Sequence, residues 1–193
     1  ANEWIYKQLF GDRVIFHYVD QVELKGTLVQ DTSYSFSRQN LQKNPEVIKY
    51  ALEKVADRMV ITFQKFTHDF KNAYKDIYFG NCQGKDGFQD KPLAIIGTPH
   101  VSPAVYFLYS KYLGLDFKPE DFRQEMHAVH RNGLYFNFYT FNDERLRTLQ
   151  FYFIERELRQ AIGRGRPIRR PDADILVLSN YPLPEATQLR ELL

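Results

Sequence analysis

Short apolar runs with almost no polar alternation constrain this chain more than any other feature. Arg58-Met59-Val60-Ile61-Thr62-Phe63, Pro92-Leu93-Ala94-Ile95-Ile96-Gly97 and Asp174-Ile175-Leu176-Val177-Leu178-Ser179 are three of them. A strand with one face in water alternates apolar and polar residues; one covered on both faces need not. Between these runs lie stretches of helical periodicity. Val47, Ile48, Ala51, Leu52 and Val55 recur at helical spacing after Pro45, a residue that suits the first helical turn. Pro103 to about Leu113 and Pro119 to about His127 also read as helices. A long helix runs from an N-cap at Asn142 to about Ile162, with Asp143 and Glu144 near its positive end. Strands alternating with helices predict an α/β fold, a mostly parallel sheet with helices on both faces. Further strands are predicted over Arg13–Val19, Gly26–Gln30, Asp76–Phe79 and Leu134–Thr140, and a short helix over Thr67–Tyr74, while Ser37 to Asn44 reads as a loop.

At 193 residues the chain suits one sizeable domain, able to bury a core without disulfides or a structural metal. The net charge of +2 does not demand a polyanionic partner, so an affinity for nucleic acid has to come from local clusters. Such a cluster lies between Arg156 and Arg170, where six arginines meet one acid, Glu157. A single cysteine, Cys82, excludes an internal disulfide and suits a reducing, cytoplasmic compartment. No apolar stretch reaches the length of a membrane span. The start at Ala1-Asn2-Glu3-Trp4, without Met, is expected of a domain cut from a longer polypeptide.

The segment richest in chemical signal is Glu157-Leu158-Arg159-Gln160-Ala161-Ile162-Gly163-Arg164-Gly165-Arg166-Pro167. Gln160 and Arg164 are four apart and share a helix face. Gly163 removes a side chain where other groups must approach, and arginine offers a charged planar fork to phosphate oxygens. The spacing of Gln160, Gly163 and Arg164 resembles the sixth motif of superfamily-two helicases, Gln-x-x-Gly-Arg followed by a second Arg. Met59 to Lys65 resembles their fourth motif, and Gly84-Lys85-Asp86 resembles the Gly-x-Asp element of the fifth. The resemblance spans roughly Met59 to Asn180. One departure is that Pro167 stands where the commonest form places the second Arg, so that role falls to Arg166, with Arg169 in reserve.

The resemblance implies the second, C-terminal RecA-like motor domain of a helicase or translocase. It covers residues 1–193 as a single domain, with 1–58 a possible extension or linker and 59–193 the motif-bearing core. Catalytic roles fall to Arg164 and Arg166, as arginine fingers on the ATP γ-phosphate, and to Gln160, which orients the reacting groups. Gly84, Asp86 and Gly163 would border the nucleotide. Lys65, Asn81 and Gln83, on loops after strands, would meet single- or double-stranded nucleic acid. ATP and Mg2+ would be shared with an N-terminal RecA-like domain, because no Gly-x-x-x-x-Gly-Lys-Ser/Thr loop and no acidic magnesium motif occurs here. The isolated chain is therefore expected to be inactive.

Other readings compete. A degenerate RecA-like module that serves assembly or nucleic-acid binding without catalysis fits the displaced second arginine. The arginine segment can also be a solvated helix end, and Gly84-Lys85-Asp86-Gly87 a plain turn. Gly80-Asn81-x-x-Gly84 as a phosphate loop fits no fingerprint well. His127 and His130, with Glu125, read as polar surface and not a metal site. Tyr106, Phe107, Tyr109 and Tyr112 suit packing more than base stacking. Cys82 lacks a histidine partner for nucleophilic work.

Overall fold

The structure is a computed structural model and describes residues 3–17, 23–85, 87–88 and 91–189. Its elements in chain order are α1 (Glu3–Phe10), β1 (Thr27–Asp31), α2 (Arg38–Lys43), α3 (Pro45–Val55), β2 (Met59–Ile61), β3 (Leu93–Ile96) and α4 (Pro103–Tyr112). They continue with β4 (Gln124–Arg131), β5 (Leu134–Phe141), α5 (Glu144–Arg164), β6 (Asp174–Leu178) and β7 (Thr187–Gln188). Five strands form one parallel sheet in the order β2-β3-β6-β1-β7, and β4 and β5 form a separate antiparallel hairpin.

The alternation of side chains along each strand sends two sets of apolar residues to opposite faces. Leu28, Ile61, Leu93, Ile95, Ile175 and Val177 pack under α5 and the hairpin, with Ile154, Leu158, Phe136 and Phe138. Val60, Ala94, Ile96, Leu176 and Leu178 pack under α2 and α3, with Leu41, Val47, Ala51 and Val55. Both faces of the sheet are thus covered, which is why the central strands carry no alternation. A third cluster joins Ile5 of α1, Tyr106 and Leu113 around α4 and Leu146, Leu149 and Phe153 of α5. Among the described residues, no helix is long and apolar enough to cross a membrane.

Several expectations are corrected. Val14 to His17 form no strand, and Tyr18 and Val19 lie outside the described residues. A strand needs a paired neighbour, and β1 already sits between β6 and β7. Residues 27–55 therefore belong to the central sheet and its cover. Ser37 to Asn44 is not a loop but α2, with the Ser37 hydroxyl accepting from the Asn40 amide. Asp76–Phe79 forms no strand; only Ala73 bridges to Val60. Residues 67–74 hold turns, with Phe66 and Phe70 anchoring them in the core.

The largest correction is at Pro119–His127. A short 3-10 turn over Pro119–Phe122 leads into β4, which pairs with β5 from Gln124↔Phe141 to Arg131↔Leu134. The turn is Asn132-Gly133, with φ of 52° and 78°. Positive φ at both central residues is the type I′ geometry that matches strand twist, and Asn-Gly is its strongest sequence signal. His127 and His130 are an odd number apart on a strand and face opposite sides. Asp143, not Asn142, caps α5, accepting from the Arg145 and Leu146 amides.

Candidate functional site

The helix α5 persists through Arg164, so Gln160 and Arg164 do lie on one helical face. After Arg164 the chain turns against the N-terminal edge of the sheet. Lys25 and Gly26 both donate to the Pro167 carbonyl at 2.9 Å, and a Cβ on Gly165 would lie 2.6 Å from the Ile175 side chain. Gly165 is a packing glycine. This turn and the end of α5 border a hollow of about 530 Å3 with an apolar floor of Leu24, Leu28 and Ile162. Gly163, Arg164, Arg166 and Arg169 line it together. The one acid in its lining, Glu185, is held by Arg159 at 2.9 Å.

Two residues here depart from what their local backbone favours. Gly163 lies inside the last turn of α5, yet a Cβ added to it would meet no atom within 4 Å. Glycine inside a helix costs roughly 0.5–1 kcal/mol relative to alanine, and among the described residues no neighbour requires it. Arg166 has φ of 54°, in the left-handed region that a side chain disfavours by roughly 1–2 kcal/mol. Helices commonly place glycine at such a position.

Arg164 joins the two segments singled out in the sequence. Its Nη1 donates to the Lys85 carbonyl at 3.0 Å, and Glu157 accepts from the Gly80 amide at 2.8 Å. The loop 80–85 is thereby clipped to α5 at two points. The Arg164 Nε is buried without a hydrogen-bond partner; an unmet buried donor costs about 1–3 kcal/mol. Gly84, beside Lys85, takes φ of 70° and faces open space, so it serves an exposed turn. Asp86 lies outside the described residues.

Other expected residues are not gathered here. Gln160 borders a separate hollow of about 820 Å3 with Trp4, Tyr152 and Arg156. Lys65 is exposed on the short turn after β2, and Gln83 is exposed on the clipped loop. The Asn81 amide is spent on the Asp76 carbonyl at 2.9 Å. None of these three lines the hollow at the end of α5.

The middle of α5 carries a polar network that the sequence did not disclose. The Glu155 Oε1 accepts from Arg131 Nε at 2.7 Å and from the Tyr181 hydroxyl at 2.5 Å, and Arg159 approaches its other oxygen at 3.6 Å. Burial opposes the Glu155 charge, but Arg131, Tyr181 and Arg159 together hold its carboxyl below the ordinary range. Burial pushes the His100 imidazole down to about 4; its Nδ1 lies 3.3 Å from Gln150 Nε2. Burial, and then the nearby Glu157 charge, pushes the Cys82 thiol up to about 11, so it stays protonated and a poor nucleophile. Among the described residues, no group of three or more His, Cys, Asp or Glu is placed to hold a metal ion. Compared with known proteins, the chain matches no family model, no curated protein and no solved structure.

Proposed function

We propose that this chain is the arginine-supplying second lobe of an ATP-dependent nucleic-acid helicase or translocase, with a RecA-like fold. The observation that carries the reading is the end of α5. Gly163, Arg164, Arg166 and Arg169 share one hollow, and two of these residues forgo local stability there. Local preferences given up in this way are expected where a chain serves function instead of its own fold. An exposed glycine beside part-exposed arginines suits the close approach of a second body bearing phosphates.

The position of the hollow supports supply and not capture. Open parallel sheets hold their own ligands at the C-terminal edge of the strands, whereas this hollow lies at the N-terminal edge. In this reading ATP and Mg2+ sit on a first lobe outside this chain. Arg164 and Arg166 meet the γ-phosphate and stabilise charge that develops during phosphoryl transfer. Gly163 lets the lobes close; the motif resemblance gives Gln160, which lines the neighbouring hollow, an orienting role, and gives Gly84 and Asp86 the ribose. To reach phosphate, Arg164 releases the Lys85 carbonyl. That costs about 1 kcal/mol, which a stronger charge-assisted bond to phosphate offsets. Release would also undo one of the two clips on the loop 80–85 and loosen its Lys85 end, linking hydrolysis to its movement. A cytoplasmic setting goes with this reading.

A second reading, a RecA-like module without catalysis, draws on the bond that Arg164 already makes inside the chain and on Pro167 at the usual place of the second arginine. Hydrolysis by the full parent polypeptide, with and without single-stranded nucleic acid, separates the two. The motor reading expects stimulated turnover that collapses in Arg164→Ala and in Arg166→Ala while ATP binding survives. Unchanged turnover in both variants leaves the non-catalytic module.

A further inference from the structure

At the opposite edge of the sheet, the C-terminal ends of β1 and β3 open into a crevice of about 540 Å3. Three parts of the chain build it: α2, the connection from β3 into α4, and the hairpin. Arg38 and Lys43 stand exposed on the α2 wall, and among the described residues neither has an acidic partner. Arg38 instead lies over the Phe63 ring at 5.2 Å. Among the described residues no Asp or Glu lines the crevice; besides Arg38 and Lys43, its polar lining is serine, amide, imidazole and tyrosine. The Tyr106 side chain borders it with only 2% of the residue exposed, its hydroxyl closed off from solvent beside the Val101 backbone. Tyr139, from the hairpin, closes the other wall and is 55% exposed.

Tyr139 also leads out of the crevice. On the outward face of the hairpin it pairs with Met126, and beyond it His130 pairs with Tyr135, their rings stacked at 4.2 Å. An aromatic track on a half-covered ribbon therefore continues from a cationic crevice that contains no acid.

We infer that this crevice is the path of single-stranded nucleic acid, with Arg38 and Lys43 on successive phosphates and Tyr139 beneath a base. The chemistry favours a polymer over a free nucleotide. Arg38 and Lys43 are five residues apart on a helix, roughly 7.5 Å along its axis and about 140° around it, and so address separate charges and not one phosphate. No glycine-rich cradle converges on a polyphosphate there. Stacking on Tyr139 tolerates any base, while the crevice glutamines offer hydrogen bonds to sugar or base edges. The inference deepens the motor reading and rests on it for the polymer's identity, but binding itself needs no ATP.

The test is fluorescence anisotropy of a short labelled oligothymidylate titrated with the whole chain, without nucleotide, over a range of salt. Arg38→Ala/Lys43→Ala is expected to weaken binding by roughly tenfold or more at low salt. It should also reduce the slope of log K against log salt by about 1.4, since each phosphate contact on a single strand contributes about 0.7. Tyr139→Ala should weaken binding by roughly 5- to 100-fold with the slope unchanged. The charge-matched control Lys71→Ala/Lys75→Ala, on exposed lysines away from the crevice, should leave affinity within about twofold. Unfolding midpoints of all variants separate lost binding from lost fold. No oligothymidylate binding, or crevice variants that bind like the wild type, would overturn the inference; so would ATP at equal concentration displacing the strand. Loss of hydrolysis in Arg164→Ala is read independently, so the crevice and the motor reading fail separately.

Discussion

The two edges of the sheet carry basic hollows made in different ways. At the N-terminal edge, one continuous segment supplies the arginines: the last turn of α5 and the residues just after it. At the C-terminal edge, residues as distant as Arg38 and Phe141 meet across α2, the connection after β3 and the hairpin. The first hollow holds a glycine that no contact needs and an arginine in a glycine's conformation. The second is built on satisfied local geometry, with Ser37 capping α2 and Asn132-Gly133 closing the hairpin. One edge forgoes local stability, while the other obtains its character from assembly alone. Between them, the Glu155 network fastens α5 to the hairpin and to the segment after β6 through Arg131 and Tyr181.

The largest expected effect tests the N-terminal edge. Arg164→Ala in the parent polypeptide should lower nucleic-acid-stimulated turnover by about 10³-fold or more, the range for an arginine finger, with ATP affinity nearly unchanged. A fall of less than about tenfold would reduce Arg164 to a clip for the loop 80–85.

Glu155→Gln tests whether the network between the edges is structural. Removing the carboxylate leaves Arg131 charged and part-buried, and should cost about 3 kcal/mol by denaturant unfolding. A loss below about 0.5 kcal/mol would mean that solvent already screens the pair.

His100 probes the C-terminal edge by pH. Its imidazole is held near 4 when folded and titrates near 6.5 when unfolded. Between those values the unfolded chain binds more protons, so stability falls as the pH drops and rises as it increases. Because the ring is only half-buried, the change from pH 7 to pH 4 should be ~1–2 kcal/mol. Urea unfolding at several pH values should show this slope in the wild type and less of it in His100→Gln.

The smallest effect is the most discriminating between the two edges. Gly163→Ala should stabilise the isolated chain by about 0.5 kcal/mol, because the Cβ meets open space and helix propensity improves. The same change should lower turnover of the parent polypeptide. A stabilised variant with full activity would show that Gly163 serves neither fold nor function.

The sequence by itself determined the α/β class, the central strands and the long helix, because burial on both faces leaves unbroken apolar runs and helical periodicity leaves a stripe. It also singled out the segment whose Gly163, Arg164 and Arg166 line the N-terminal hollow, since these lie within one turn and its exit, while Gln160 from the same motif borders another. It carries the hairpin too, in Asn132-Gly133, but the helical reading of Pro119–His127 leaves the strand at Leu134 without a partner for that turn to join. Only the tertiary structure decided that β1 lies inside the sheet, since strand order depends on pairings between residues far apart, such as Leu28 with Ile175. Only it brought Arg131, Glu155 and Tyr181 together, and Arg38 to face Tyr139 across a crevice without an acid. Local preferences act over a few residues and are written in neighbouring letters. Charge complementarity between distant segments exists only once the core has fixed where those segments meet.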